Sequence, residues 1–308
     1  MQALFVTFLW ATSWVLIKIG LVDNIPPLTF AGLRYSLAFL CLLPFALRPA
    51  RLLVIRRLTG TQWSRLAVLG LLIYAVTQGA QFVGLAYLPA VTVSLLLNFT
   101  SVVVAVLGIV VLAERPTGLQ WAGAVACLVG AVAYFFPVSL PAGQAFGVCV
   151  VALGVLANAA SAVLGRHVNR AGDLDPLTVT LASMGVGGIS LLALGAAVQG
   201  VPPLSLADWA IIGWLAVVNT AFAFTLWNHT LRTLSAMESS IINSTMLVQI
   251  ALLAWLFMGE RLTLQQIAGM ALVALGVLSV QLEGGRIWKG RETEPPGRQA
   301  RQDIEQEI

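Results

Sequence analysis

Charge is what this chain lacks. Of its 308 residues only 10% are charged, against 59% hydrophobic, where a soluble globular protein carries roughly 25% charged residues. The composition therefore excludes an ordinary soluble domain. Acids are scarcer than bases, 13 against 17, and every Asp and Glu falls in a connecting stretch, at the end of an apolar run or in the polar C-terminal stretch. None is expected at mid-membrane, where proton-coupled carriers commonly keep a carboxylate relay. The three cysteines, Cys41, Cys127 and Cys149, sit inside apolar runs without an ionisable neighbour, as small packing residues and not as a disulfide framework. No HExxH pair, P-loop or nucleophile beside a base is found. The reading is therefore of no enzyme, cofactor or metal site, and of no ATP-driven transport by this chain alone.

What the chain has in abundance is apolar runs of about 20 residues, the length that crosses ~30 Å of hydrocarbon. Ten spans are expected, at roughly 2–20, 28–47, 65–86, 90–112, 118–136, 145–165, 177–199, 208–231, 236–258 and 264–282. Turn-forming residues punctuate them, among them Pro26-Pro27, Pro49, Pro89, Pro116, Pro137, Asp175-Pro176 and Pro202-Pro203. No charged leader precedes the first span, which is read as retained. Residues 283–308, rich in both charge signs, are expected to form a disordered tail. With the N-terminus placed in the cytoplasm, 14 of the 17 basic residues fall on the inner side and only Arg261 on the outer. Both termini are thus expected inside. The basic residues of the 48–65 segment serve as this orientation signal, and nucleic-acid binding has no support.

The chain also contains one stretch twice. Shifted by 146 positions, Ser94 meets Ser240, Glu114-Arg115 meets Glu260-Arg261, Thr117 meets Thr263, Gln120 meets Gln266, Gly123 meets Gly269 and Gly130 meets Gly276. Each copy, 1–137 and 145–282, holds five spans, an odd number, so the second enters the membrane upside down. The expected fold is an all-α membrane protein of ten transmembrane helices, two inverted five-helix repeats around a central cavity. Inverted repeats of this kind are the architecture of secondary transporters, with the substrate site near the midplane between copies.

The details resemble the drug/metabolite transporter superfamily, specifically its EamA branch of ten-helix bacterial exporters. The residues that carry the resemblance are the first-span WATSWVLIK from Trp10 to Lys18, Arg34 in the second span, and the Glu-Arg, Thr and Gln set that occurs twice. Ala11 follows Trp10, where many relatives have Gly. The resemblance implies a cavity lined mainly by spans 1, 3, 4, 6, 8 and 9, and export of amino acids or similar small metabolites across a bacterial inner membrane.

Polar side chains inside hydrocarbon are costly, so their positions are informative. In the third span Tyr74, Thr77, Gln78 and Gln81 share one helical face. The fourth span offers Ser94, Asn98 and Ser101; the sixth Asn158 and Ser161; the eighth Asn219, Thr220, Trp227 and Asn228; the ninth Asn243, Ser244, Thr245 and Gln249. Such groups also join helices to one another, and a Ser or Thr can bond its own backbone. Trp10 and Trp14, four residues apart at mid-membrane depth, would offer flat walls to a solute or stack on a cationic amine, or else fill space between helices. The substrate-binding set is thus Trp10, Trp14, Tyr74, Gln78, Gln81, Asn98, Asn158, Asn219, Trp227, Asn243 and Gln249. Arg34 is expected to bond a carbonyl or a loop carboxylate. Repeat symmetry suggests two gating ion pairs, Lys18–Glu260 outside and Arg166–Glu114 inside. Spans 5 and 10 read as packing helices whose glycines permit close approach. The expected partners are a small-molecule substrate and the lipid bilayer, with the chain a monomer or weak homodimer. A lipid-carrier flippase of the same fold is the alternative, with an intramembrane enzyme ranked below it.

Overall fold

The computed structural model describes residues 1–21, 25–88, 93, 96–113, 116–136, 144–258 and 263–293, and among them the chain is helical with no strand. The elements are α1 (Gln2–Leu21), α2 (Pro27–Ala46), the short α3 (Pro49–Arg56), α4 (residues 60–87), α5 (Thr100–Leu112) and α6 (Gly118–Phe135). There follow α7 (Ala145–Ala171), α8 (Pro176–Gln199), α9 (residues 206–230), α10 (Ala236–Asn243), α11 (Thr245–Met258) and α12 (Leu264–Thr293). Among the described residues five helical stretches are long and apolar enough to cross a membrane, and shorter apolar helices accompany them. Large hydrophobic side chains face outward, Val110, Leu275 and Trp214 among them. The most buried large ones, Tyr35, Tyr74, Phe30 and Met184, fill the interior.

Local signals start the helices where they do. Thr59 and Gln62 form a capping box at the start of α4, Thr117 and Gln120 at α6, Ser205 and Asp208 at α9, and Ser235 and Glu238 at α10. At α12 Thr263 accepts from the Gln266 amide, and the Gln266 side chain accepts from the Thr263 amide. Each box satisfies backbone amides that have no partner within the first turn. The first and third boxes lie 146 positions apart, as do the second and fifth.

Two helices widen at mid-length. Leu71–Thr77 of α4 and Val217–Phe222 of α9 are π-helical, and both stretches begin at positions 146 apart. A π turn displaces the usual backbone pairing, and in each case a threonine hydroxyl five residues on takes up a carbonyl. Thr77 Oγ1 donates to Leu72 O at 2.7 Å, and Thr220 Oγ1 to Leu215 O at 2.8 Å. The ninth expected span is likewise interrupted, at Ser244, between α10 and α11.

Two antiparallel helix pairs brace the bundle. A Cβ on Gly130 would lie 2.7 Å from the Gly269 carbonyl oxygen, and one on Gly276 would lie 2.7 Å from that of Gly123. Only hydrogen at these positions lets α6 and α12 approach so closely. The glycines expected to permit close approach in spans 5 and 10 thus face one another. The second pair is α2 with α8, where a Cβ on Gly195 would meet the Thr29 amide at 2.7 Å and one on Gly188 the Tyr35 backbone at 3.1 Å.

One boundary differs from expectation. The helix expected to end near 282 continues to Thr293, through Gly284, Gly285 and Gly290. The rest of the expected disordered tail, 294–308, lies outside the described residues.

Candidate functional site

A cavity of about 240 Å³ lies among the helices. It is lined from α1, α4, α7, α9, α10 and α11 and from residues 97–101, with Arg34 and Tyr35 of α2 and Ser183 of α8 completing the wall. Among the described residues no Asp or Glu lines it.

One side is aromatic. The Trp10 ring centroid lies 4.9 Å from that of Phe224 and 5.1 Å from that of Trp227. Tyr74 lies 5.1 Å from Phe224 and 5.1 Å from Tyr35. The tilted rings form a continuous wall, the arrangement that aromatic quadrupoles favour. The Trp10 Nε1 group has no hydrogen-bond partner among the described residues.

The other side is polar. Tyr74, Thr77, Gln78 and Gln81 all border the cavity, as their shared helical face requires. Asn98, Asn158 and Asn243 do so as well. Asn158 Nδ2 lies 3.5 Å from Thr100 Oγ1, and Asn243 Oδ1 has no partner among the described residues. Ser101 Oγ lies 3.2 Å from both Ser244 Oγ and Ser240 Oγ, a hydroxyl cluster that ties residue 101 of α5 to the α10–α11 break.

The structure thus brings Trp10, Tyr74, Gln78, Gln81, Asn98, Asn158, Trp227 and Asn243 to one cavity. It places two of the expected residues elsewhere. Asn219 is fully buried and donates to the Leu9 carbonyl and, at 2.9 Å, to Thr12 Oγ1. Gln249 donates to Thr7 Oγ1 at 3.1 Å, beside a Thr7–Thr245 hydroxyl contact of 3.1 Å. Both stitch the second half of the chain to α1, and neither borders the cavity. Trp14 lies on α1, but its side chain is outside the description, as is that of Lys18. Glu114 and Glu260 lie outside the described residues, so neither expected gating pair is seen. Arg166 Nη1 donates to the Leu231 carbonyl at 2.6 Å.

One feature went unread in the sequence, and two were read only in part. Phe224 is an apolar residue among many, and nothing local marks it as the hub of the aromatic wall. Asn228, which borders the cavity, is mainly a connector. It donates to Thr180 Oγ1 at 3.0 Å and accepts from Asn169 at 2.9 Å. Arg34 was expected to bond a carbonyl or a loop carboxylate. Its Nη2 meets the Asn219 carbonyl at 3.3 Å, its Nε meets Thr220 Oγ1 at 2.7 Å, and the group borders the cavity. Its depth and lone positive charge were the available signal.

The family model of EamA-like transporters matches the chain twice, over residues 1–136 and 145–281. Among curated proteins, the chain is 25% identical over 284 residues to the uncharacterized transporter YoaV of Bacillus subtilis (strain 168), covering 88% of this chain and 92% of that one. It is 27% identical over 289 residues to the uncharacterized transporter YvbV of the same organism, covering 90% and 89%. To the uncharacterized inner membrane transporter YedA of Escherichia coli (strain K12) it is 27% identical over 248 residues, covering 76% and 74%. A solved crystal structure aligns with a TM-score of 0.77 over 92% of this chain and 97% of its own, at 17% identity, a likeness in fold alone. With nearly its whole length matched by the family model, an apolar helical bundle and a polar and aromatic cavity inside it, the chain is a membrane protein that belongs to the EamA-like transporter family.

Proposed function

We propose that the chain is a secondary transporter that exports amino acids or similar small metabolites by alternating access across a bacterial inner membrane. Its ten spans form two inverted repeats, residues 1–137 and 145–282, with both termini in the cytoplasm. The observation that carries this reading is the cavity itself. Both of its walls draw on both copies: Trp10, Tyr35 and Tyr74 of the first stand with Phe224 and Trp227 of the second, and Gln78, Gln81 and Asn98 of the first with Asn158, Ser240 and Asn243 of the second. The paired π-helical stretches, the repeated capping boxes and the antiparallel contacts of α6 with α12 support the inverted duplication. A volume of about 240 Å³ falls below the ~300–1,000 Å³ of sites for drug-sized ligands, which suits a solute of amino-acid size.

Alternating access then follows from how the walls are hung. Each π-helical stretch interrupts the regular backbone ladder at cavity depth, so the two ends of α4 and of α9 can tilt independently. Rocking one copy against the other about the α2–α8 and α6–α12 seams would open the cavity to each side in turn. Lys18–Glu260 and Arg166–Glu114 would close the outer and inner gates as ion pairs between copies. In this reading the substrate gradient or exchange drives export, and no carboxylate lines the cavity among the described residues.

Counterflow in proteoliposomes without a pH gradient tests the reading, with vesicles loaded in turn with amino acids and nucleosides. Accumulation of one class, reduced by Gln78→Ala, is the expected result. Accumulation that appears only with an imposed pH gradient would overturn the uncoupled mechanism. For the gates, Lys18→Glu should close transport and Lys18→Glu with Glu260→Lys should restore it; failure of the rescue removes the outer pair.

A further inference from the structure

Among the residues that border the cavity, one carries a charge that no described group answers. Arg34 is only 5% exposed and borders the cavity from the first half of α2. Its Nε and Nη2 groups are held by Thr220 Oγ1 and the Asn219 carbonyl. Both partners lie in the π-helical stretch of α9, so the second copy fixes the orientation of a side chain from the first. Nη1 has no hydrogen-bond partner among the described residues, and no described carboxylate pairs with the guanidinium.

A buried cation inside an apolar bundle is costly unless something supplies the opposite charge. The guanidinium is a planar fork whose geometry matches a carboxylate or another oxyanion. The aromatic wall does not substitute for that anion. The Arg34 guanidinium carbon already lies 5.3 Å from the Tyr35 ring centroid, and Tyr35 stands 5.1 Å from Tyr74 and 6.1 Å from Phe224. The protein's own cation thus occupies one flank of the ring cluster. A second cation seated among the rings would meet its repulsion, which low-dielectric surroundings strengthen, while an anion would be drawn in by the same field. The rings alone would predict a preference for amines; with Arg34 beside them the preference reverses.

We propose that Arg34 is the anchor for a carboxylate or equivalent oxyanion on the substrate, so that the cavity selects organic acids and zwitterions over simple amines. Nη1 donates to an oxygen of the acid, and the apolar body of the solute lies against Trp10, Phe224 and Trp227. Biologically the proposal rests on the transporter reading, but the binding it describes does not require transport.

Titration calorimetry on the full-length protein in detergent tests it with three probes of matched shape: 3-phenylpropionate, 3-phenylpropanamide and 3-phenylpropylamine. The acid should bind about tenfold or more tightly than the amide and the amine, the effect of one charge-assisted hydrogen bond in a desolvated site. Arg34→Gln should reduce the acid to the affinity of the amide and leave the amide unchanged, while Arg34→Lys should keep part of the preference. Equal binding of acid and amide, a preference for the amine, or no binding of any probe would overturn the proposal. The wild-type ranking decides the matter even if Arg34→Gln fails to fold. Selective acid binding without counterflow of any solute would sink the transport reading and leave the anchor standing. Counterflow of amines unaffected by Arg34→Gln would do the reverse.

Discussion

Shifted by 146 positions, Tyr74, Thr77, Gln78 and Gln81 of α4 fall on Thr220, Ala223, Phe224 and Trp227 of α9. The two helices share a capping box and a π-helical stretch. Yet the first presents amides to the cavity where the second presents rings. The devices held in common are those that any such helix needs: amides satisfied at the first turn and carbonyls recaptured at a widened turn. At two of these pairs, 78 with 224 and 81 with 227, both members border the cavity, whereas Thr220 and Ala223 do not. At these two pairs a duplicated backbone has acquired unlike faces, amides able to make directional hydrogen bonds on α4 and flat apolar area on α9. Under the proposed reading a solute between them would take a defined orientation, with Arg34 at one edge.

The comparison can be broken most sharply where the copies are alike. Leu in place of Gly130 or of Gly269 should strain the α6–α12 seam by about 1–3 kcal/mol or more. Size-exclusion profiles should then show a large loss of folded protein for each. Tolerance of one and not the other would mean that the seam is not shared evenly. Next come the walls. Trp227→Ala should reduce counterflow about tenfold or more, and Gln81→Ala only a few-fold, because a ring contributes more buried area than an amide contributes net hydrogen bonding. The reverse order would make the amide wall the main binding surface. The π-helical stretches should respond more weakly. Thr77→Ala should cost about 0.5–1 kcal/mol of thermal stability. Thr220→Ala should cost more, because Thr220 also accepts from Arg34. Equal losses would argue against Arg34 being held there. The smallest effect is expected at the exposed Gln265, which donates to the Ala133 and Phe136 carbonyls at 2.7 and 2.6 Å. Gln265→Ala should shift stability within about 0.5 kcal/mol.

Much of this was legible in the sequence, and for physical reasons. Tyr74, Thr77, Gln78 and Gln81 declared their common face because helical periodicity fixes it, even across a π-helical stretch. The capping boxes at Thr117 and Thr263 could be read as a repeated Thr and Gln spacing. Gly123, Gly130, Gly269 and Gly276 were readable as packing positions, though not as packing against each other. Asn219 and Gln249 misled because a polar side chain in an apolar helix has two outlets, a cavity or a neighbouring helix, and α1 supplied the second. The π-helical stretches carried no Gly or Pro to mark them, being set by the threonine caps and by packing. Phe224 gained its role only when folding set it between Trp10 and Tyr74.

The central claim, a cavity between the copies reached from either side of the membrane, is tested most directly by thiol labelling. Cys41, Cys127 and Cys149 would first be replaced by Ser, and a single cysteine placed at Gln81, whose side chain borders the cavity. A membrane-impermeant thiol reagent would then be applied separately to the outer and inner faces of oriented vesicles. The account predicts labelling from both sides, slowed from both by the solute that supports counterflow. Labelling from one side alone, whatever the solute present, would contradict it.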